Sequence, residues 1–263
     1  MQRLMHRKRV LFSDKYGWET AIRSAINTWR YVPAFNSFSE ANLDDFDVLV
    51  PQQLTDIVFL NDHDAALRGT KCFIPPLSAL NICNDKMQFN NFVIDMGYAS
   101  LIPKLNDGLA YPYILKKRID ENGSRTRIIQ NAEEEKPFHR FIASDHYYRQ
   151  ECISGCDEFT THILIVGGQV VFHRTFQFTF GEQLFVKGVG CKPAKQKISR
   201  SCPYMGVFTE ILNQLEFEGL CCFNYKVADG KLKIFEVNPR YGGSLTRVVS
   251  PMLKVYTGML EEN

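Results

Sequence analysis

The sequence predicts an α/β protein of mixed (α+β) character, in which a small Rossmann-like unit precedes a larger part built from antiparallel hairpins. Strand and helix patterns alternate over residues 10–51, which favours a parallel sheet covered by helices. Two later hairpins are indicated by the turn dipeptides Gly167-Gly168 and Asp229-Gly230, each between runs with strand periodicity. A chain of 263 residues is long enough for one large domain or two small ones.

Composition and charge narrow the classes of function. The chain is 45% hydrophobic and 23% charged, which is ordinary for a globular protein, and its net charge of +2 gives no reason to expect nucleic acid or an anionic membrane as a partner. No apolar run is long enough to cross a bilayer, and the segment 10–12 is too short for the core of a signal peptide. We therefore expect a cytoplasmic protein that binds neither nucleic acid nor membrane. Its eight cysteines, without an export signal or a C-x-x-C pair, are expected to be reduced thiols.

The N-terminal elements form the Rossmann-like unit. Strands are predicted over 10–14, 31–35 and 46–51, and a helix over 18–29. The apolar residues at helical spacing are Trp18, Ala21, Ile22, Ala25, Ile26 and Trp29. The G-x-G-x-x-G loop of dinucleotide-binding folds is missing after the first strand, where residues 13–17 read SDKYG, and this disfavours a dinucleotide-dependent oxidoreductase.

A second helix and its exit are predicted over 78–97. The apolar stripe of this helix is formed by Met87, Phe89, Phe92, Val93 and Met96. Gly97 provides a natural C-terminal stop. Lys86 lies near the start of the stripe, where a solvated helix lysine is the simplest interpretation of this residue alone.

The next strands enclose a polar loop. Strands are predicted over 111–116 and 126–129, on either side of residues 120–124. An ordinary exposed hairpin is one interpretation. The other is a flap whose backbone N–H groups and Ser124 hydroxyl bind phosphate, while Lys116 projects from the strand as a point charge.

A long hairpin and an amphipathic helix follow. The hairpin runs over 160–180, and Arg174 in its second arm is either a phosphate contact in a cleft or a paired residue of the sheet. The helix is predicted over 207–219. Its inward residues are Phe208, Ile211, Leu212 and Leu215.

The stretch 231–244, KLKIFEVNPRYGGS, carries the strongest chemical signal. Strand alternation places Glu236 and Asn238 on the same face as Ile234. A carboxylate and an amide oxygen at a strand end, followed by Arg240, suit a hard cation beside a phosphate group, because oxygen atoms bind Mg²⁺ and arginine binds phosphate. The alternative is a salt-bridged surface glutamate before a loop.

Taken together, the order and spacing of these segments resemble the ATP-grasp superfamily, in particular its carbamoyl-phosphate-synthetase-like and D-alanine:D-alanine-ligase-like branches. The similarity extends from about residue 84 to residue 244. It implies an ATP-grasp fold with a Rossmann-like domain over 1–83, a lid subdomain over 84–149, and a nucleotide- and metal-binding subdomain over 150–263. It also implies ATP and Mg²⁺ as cofactors, with Mn²⁺ as an alternative ion.

The resemblance assigns ATP contacts to particular residues. The family's two phosphate-binding lysines correspond to Lys86 and Lys116, and its closing loop corresponds to Gly123-Ser124, which here has a single glycine. The hinge that meets adenine corresponds to Glu151, Cys152 and Ile153, and the residue that binds the ribose hydroxyls corresponds to Glu158. Arg174 is the further candidate for a phosphate contact.

The resemblance assigns the metal to Glu236, Asn238 and Asn224, and it makes Arg240 and Lys116 the catalytic residues beside the transferred phosphoryl group. Asn224 stands where an acidic residue is usual, so a second Mg²⁺ is expected to bind less tightly. We expect Asn224 to share a face with Glu236 if the hairpin turn has three residues, whereas a turn of two would direct it away.

The implied function is an ATP-dependent carboxylate-amine (or thiol) ligase that forms a C–N bond through an acyl phosphate and releases ADP and phosphate. The partners would be a small carboxylate and a small amine, with a homodimer as the default assembly. The lysine-rich loop over 179–201 would accommodate an anionic substrate, although such loops are more often solvated. The alternatives are a non-catalytic ATP-binding sensor or scaffold, which Asn224 and the glycine-poor lid favour, and a purely structural α/β domain.

Overall fold

The computed structural model describes residues 7–63, 67–120 and 125–262, which form three β-sheets with helices packed against them. The strands are β1 (Lys8–Phe12), β2 (Tyr31–Phe35), β3 (Val48–Val50), β4 (Tyr113–Lys117), β5 (Arg127–Ile129), β6 (Tyr147–Glu151), β7 (Asp157–Val166), β8 (Gln169–Thr179), β9 (Lys195–Ser199), β10 (Gly219–Ala228) and β11 (Lys231–Asn238). The helices are α1 (Trp18–Ala25), α2 (Leu54–His63), α3 (Leu77–Asn84), α4 (Lys86–Val93), α5 (Ala132–Glu135), α6 (His139–Ile142), α7 (Met205–Gln214) and α8 (Val249–Glu262). Within these residues, every helix is too short or too polar to span a bilayer.

The N-terminal sheet is parallel, with strand order β2-β1-β3, as the β-α-β alternation predicts. The predicted helix over 18–29 is too long, because α1 ends at Ala25 and Ile26 is already extended. Asn27 then forms a turn in which its side-chain oxygen accepts a hydrogen bond from the Trp29 N–H. Trp29 is consequently 87% exposed rather than packed in the core.

The predicted helix over 78–97 is two helices, α3 and α4, separated by Asp85. Asp85 leaves the helical conformation and accepts hydrogen bonds from the N–H groups of Met87 and Gln88, which makes it the N-cap of α4. The Arg118 guanidinium, just after β4, also donates to Asp85, with an N–O distance of 2.6 Å. Lys86 is therefore fixed at the first position of α4, beside the strand that carries Lys116. Gly97, with φ of +88°, ends this segment as predicted.

The other two sheets are antiparallel. A lid sheet has the order β5-β4-β6, and a central sheet has the order β11-β10-β7-β8-β9. The hairpins at Gly167-Gly168 and Asp229-Gly230 are confirmed. Helix α7 ends at Gln214, before the predicted end at residue 219. All four residues predicted to point inward are buried, with Leu215 directly after the helix.

Helix α8 packs back onto the N-terminal sheet. Its residues Met252 and Tyr256 share one hydrophobic core with Val10 and Phe12 of β1 and with Leu164 of the central sheet. The Tyr256 hydroxyl accepts a hydrogen bond from the Phe73 N–H and donates to the Leu49 carbonyl. The N-terminal sheet and the central sheet therefore share a core, and the domain boundaries proposed from sequence stay predictions.

Candidate functional site

A cleft of about 500 Å³ lies between the lid sheet and the central sheet. Its lid side is formed by Ile114, Lys116 and Thr126, and its floor by side chains of β7, β10 and β11. The cationic side chains that line it are Lys86, Lys116, Lys187, Lys226 and Arg240. The carboxylates that line it are Glu158 and Glu236. The excess of positive charge among these lining residues favours an anionic ligand.

A β-bulge in β11 aims the carboxylate of Glu236 into this cleft. Tyr225 pairs with Ile234 and Asn224 pairs with Glu236, so Phe235 is the extra residue of the bulge. Ile234 lies in the core below the sheet, whereas Phe235 and Glu236 both line the cleft. The predicted alternation that put Glu236 on the face of Ile234 is therefore wrong.

The bulge also decides where Asn224 points. The condition of a three-residue turn is not met, because Ala228 pairs with Lys231 and leaves a two-residue turn. Such a turn would direct Asn224 away from Glu236 in a regular ladder. The bulge compensates for the missing turn residue, and the Asn224 amide nitrogen donates to Glu236 Oε1 at 2.9 Å.

Several polar groups of the cleft contact the carboxylate of Glu236. The Asn238 amide nitrogen donates to the same Oε1 at 3.2 Å, and Lys86 Nζ lies 3.5 Å from Oε2. Burial acts to raise the pKa of this carboxyl, but Lys86, Lys116 and the two amides outweigh it and lower the pKa to about 2. The carboxylate is therefore ionised throughout the physiological pH range.

The two predicted phosphate-binding lysines are buried rather than solvated. Lys86 is 8% exposed, and its Nζ donates to the Asp120 carbonyl at 2.7 Å. Lys116 is also 8% exposed, and its Nζ lies 5.2 Å from the centroid of the Phe235 ring. Burial lowers the pKa of Lys116, and the charge of Glu236 opposes this shift. The interpretation of Lys86 as a solvated helix lysine is wrong.

The turn after β11 holds Arg240 and Ser244 against the central sheet. A Cβ atom on Gly242 would lie 2.5 Å from His162 Cε1, so only glycine fits this close approach. Arg240 is 7% exposed, and its guanidinium lies 5.9 Å from the centroid of the Trp18 ring. A 3-10 helix over Gly243–Val248 then leads into α8.

His162 forms a buried pair with Ser244. Its Nε2 lies 2.7 Å from Ser244 Oγ, whereas its buried Nδ1 has no hydrogen-bond partner among the described residues. Burial, together with the charge of Lys187, lowers the pKa of His162 to about 3, so the imidazole is neutral. We assign the proton to Nε2, because a buried acceptor without a partner is tolerated better than a buried N–H donor. The Ser244 hydroxyl is then available to donate into the cleft.

The neutral state of His162 predicts a pH dependence of stability. Between pH 6.5 and 3 the unfolded chain binds a proton at this residue that the folded chain does not, so the free energy of unfolding decreases as the pH falls. At pH 5 the loss relative to pH 7 should be about 2 kcal/mol for this residue. Urea denaturation of the wild type and of His162→Gln at both pH values measures it. The other histidines cancel in the comparison, and an equal loss in both proteins would contradict the assignment.

Lys187 reaches the cleft from the segment that joins β8 to β9. Its Nζ lies 3.1 Å from Glu158 Oε1 and 2.7 Å from Thr160 Oγ1. The Thr160 hydroxyl donates to Asn224 Oδ1 at 2.7 Å. A continuous series of hydrogen bonds therefore runs from Lys187 through Thr160 and Asn224 to Glu236.

Three residues predicted to contact ATP are not among the residues that line the cleft. The Glu151 carboxylate accepts a hydrogen bond from the Lys104 N–H, and neither Glu151 nor Cys152 lines the cleft. Arg174 is on the far part of β8, where its guanidinium lies 4.6 Å from the centroid of the Phe172 ring. Phe178, four residues along the same strand, is the residue of β8 that lines the cleft. Of the two interpretations of Arg174, the structure has the paired residue of the sheet, opposite His162.

The remaining predicted residues are distributed as follows. Ile153 and Glu158 line the cleft, as do Asn224, Glu236, Asn238 and Arg240. Gly123 and Ser124 lie outside the described residues. The roles of all of these residues stay predictions.

Sequence reasoning missed several residues of the cleft. Lys226 donates to the carbonyl groups of Ile153 and Gly155 and so fixes the segment before β7. Alternation along β10 could have identified Lys226, because it places this residue on the same face as Asn224. Trp18 packs against the N-terminal hydrophobic core, as its helical spacing suggests, and it also lines the cleft beside Gly243. His162 gave no sequence signal, because its partner Ser244 is 82 residues away.

Glu236 and Asn238 are the residues of the cleft whose oxygen atoms could hold one divalent cation. Glu236 and Asn238 offer oxygen ligands at one end of the cleft, as one Mg²⁺ requires. At the position of a second ion, the Asn224 oxygen is directed at the Thr160 hydroxyl, with Lys187 Nζ 3.5 Å away. If the Asn224 side-chain amide were flipped, its oxygen would face the Glu236 carboxylate and its NH₂ group would face the Lys187 ammonium group, and both contacts would be repulsive. No cluster of three or more His, Cys, Asp or Glu side chains suited to a metal occurs in the described part of the chain.

Comparison with known proteins supports this arrangement at the level of fold. The sequence matches no family model, and it resembles no curated protein significantly. Solved structures do match. D-alanine–D-alanine ligase from Bacillus anthracis has a TM-score of 0.62 at 12% identity, over 97% of this chain and 99% of that chain. Phosphoribosylamine–glycine ligase from Thermotoga maritima has a TM-score of 0.67 at 16% identity, over 95% and 75%.

Biotin carboxylase from Campylobacter jejuni, solved as a β-γ-ATP complex, matches with a TM-score of 0.64 at 13% identity, over 98% of this chain and 71% of that chain. All three of these proteins are ATP-grasp enzymes. This chain has the ATP-grasp fold. The predicted fold class is therefore confirmed, including the small Rossmann-like N-terminal unit. The cleft described above therefore lies between two antiparallel sheets of this fold, the lid sheet and the central sheet.

Proposed function

We propose that the chain is an ATP-dependent ligase that joins a carboxylate to an amine, or to a thiol, through an acyl phosphate. The observation that carries this proposal is the cleft between the two antiparallel sheets of an ATP-grasp fold. There, Lys86, Lys116 and Arg240 surround the ionised Glu236. Such a site supplies positive charge for the phosphates of ATP.

The proposed reaction has two steps. An oxygen of the acceptor carboxylate attacks the γ-phosphorus of ATP, the bond to the bridging oxygen breaks, and ADP leaves. The amine then attacks the carbonyl carbon of the acyl phosphate, phosphate leaves with the bonding electron pair, and a proton of the amine passes to solvent. When ATP is bound, Lys86 and Lys116 contact its phosphates, and Arg240 stabilises charge at the transferred phosphoryl group. No nucleophilic side chain of the protein is required.

Glu236 and Asn238 would hold one Mg²⁺ (or Mn²⁺), which supplies positive charge next to the phosphates. The Ser244 hydroxyl, oriented by His162, is available to donate to the acceptor carboxylate. We also propose a cytoplasmic location, small-molecule carboxylate and amine substrates, and a homodimer.

Release of ADP and phosphate in the presence of ATP, Mg²⁺ and panels of carboxylates and amines tests the proposal. We expect ADP release that requires a carboxylate and that gives a stoichiometric amide when an amine is added. The Lys116→Met variant should lose this release, whereas Lys231→Met, an exposed lysine outside the cleft, should retain it. ADP release that is indifferent to every acceptor would contradict a ligase.

A second candidate is a non-catalytic ATP-binding sensor or scaffold. It is favoured by the ion pair between Lys187 and Glu158, which engages the residue expected to bind the ribose hydroxyls. This candidate predicts that ATP raises the melting temperature while no acceptor gives ADP.

A further inference from the structure

The ammonium group of Lys187 lies among the oxygen atoms of three side chains. Lys187 Nζ is surrounded by the carboxylate of Glu158 at 3.1 Å, the hydroxyl of Thr160 at 2.7 Å and the amide oxygen of Asn224 at 3.5 Å. These side chains come from two neighbouring strands, β7 and β10, and Thr160 pairs directly with Asn224. A carboxylate, a hydroxyl and an amide oxygen on one sheet face form a set that suits a hard cation.

The charge of this set suits a monovalent group better than a divalent ion. Asn224 is neutral, so Glu158 is the one carboxylate among the three oxygen donors, and Lys187 balances it. Glu158 is 7% exposed, which strengthens its attraction to the ammonium group. A divalent ion at the same place would have to displace Lys187 and leave a positive charge beside it.

The hydrogen bonds that join Lys187 to Glu236 all run in one direction. Lys187 donates to Thr160, Thr160 donates to Asn224, and Asn224 donates to Glu236. Bonds arranged in this way polarise one another. An ammonium group has three hydrogens, and Thr160 and Glu158 accept two of them at short distance. The third is directed at Asn224 Oδ1 over a long 3.5 Å contact, which an oxygen of a bound phosphate could replace.

We propose that Lys187 is a built-in cation that takes the place of a second divalent ion, so that the cleft binds a nucleotide with a single metal ion per chain. This inference rests on the proposed function, because it requires that the cleft binds a nucleotide. It explains why residue 224, opposite Glu236, is an uncharged asparagine. An aspartate there would add a second negative charge, whereas the Lys187 ammonium group already balances Glu158.

Counting bound ions tests the inference directly. We would saturate the full chain with a non-hydrolysable ATP analogue, titrate Mn²⁺, and follow free Mn²⁺ by electron paramagnetic resonance. The wild type should bind one ion per chain. The double variant Asn224→Asp/Lys187→Met, which exchanges the ammonium group for a carboxylate, should bind two ions. Two ions in the wild type, or one in the double variant, would overturn the inference.

A calorimetric titration of the analogue in the presence of EDTA provides an independent readout. We expect Lys187→Met to weaken metal-free binding at least tenfold relative to the wild type, and Lys231→Met to leave it unchanged. Equal affinities for Lys187→Met and the wild type would overturn the inference while leaving the nucleotide site intact. If the wild type bound no analogue with or without metal, the proposed function would fail and this inference with it.

Discussion

Replacing Glu236 with alanine is expected to lower acceptor-dependent ADP release by about a thousandfold. The carboxylate accepts hydrogen bonds from Asn224 and Asn238 and neutralises Lys86 and Lys116. Without it, the two lysines repel each other and the oxygen ligands of the expected metal lose their only charge. The steady-state rate of ADP release at saturating ATP measures the effect.

Two controls make this result interpretable. Far-ultraviolet circular dichroism of Glu236→Ala should match the wild type, because the residue lies at the cleft rather than in a core. Glu133→Ala removes an exposed carboxylate whose partner is Lys136, and it should leave ADP release unchanged. Retention of more than about a tenth of the wild-type rate in Glu236→Ala would contradict a role for this carboxylate in phosphoryl transfer.

Replacing Gly219 with alanine is expected to lower the free energy of unfolding by about 3 kcal/mol or more. An added Cβ would lie 2.3 Å from the Phe73 carbonyl oxygen, and the backbone φ of +91° disfavours any side chain. The contact is between backbone atoms, so no side-chain rotation can relieve it. Since Gly219 begins β10, the clash would separate the central sheet from the segment that carries Phe73.

Gly230→Ala is the matched control. Gly230 also has a positive φ, +72°, but no atom lies within 4 Å of a Cβ built on it. This variant should lose only about 1 to 2 kcal/mol, the contribution of the left-handed conformation alone. Urea denaturation compares the two variants. Equal losses would show that the close approach to Phe73 contributes nothing to stability.

Local patterns predicted most of the fold correctly. Strand alternation, helical spacing and Gly-containing turns depend on residues close in sequence, and they gave the parallel N-terminal sheet, both hairpins and the buried face of α7. The errors came from interactions between distant residues. Asp85 breaks a helical pattern because Arg118 and the first turn of α4 both bind it. Trp29 has the spacing of a core residue, but the helix ends before it, where the Asn27 N–H donates to Ser250 Oγ of α8.

The candidate site was predictable only in part for the same reason. The spacing of Glu236, Asn238 and Arg240 is a local pattern, and all three line the cleft. The bulge at Phe235 interrupts the alternation along β11, so alternation gave the wrong face for Glu236. Lys187 meets Asn224 across 37 residues, and no local pattern relates them.

We propose that the cleft between the lid sheet and the central sheet binds ATP. Calorimetric titration of a non-hydrolysable ATP analogue, with and without Mg²⁺, tests it most directly. We predict saturable binding of one analogue per chain to the wild type, and a loss of at least tenfold in affinity in Lys116→Met but not in Lys231→Met. Absence of binding with and without Mg²⁺, or equal binding by Lys116→Met and the wild type, would contradict the claim.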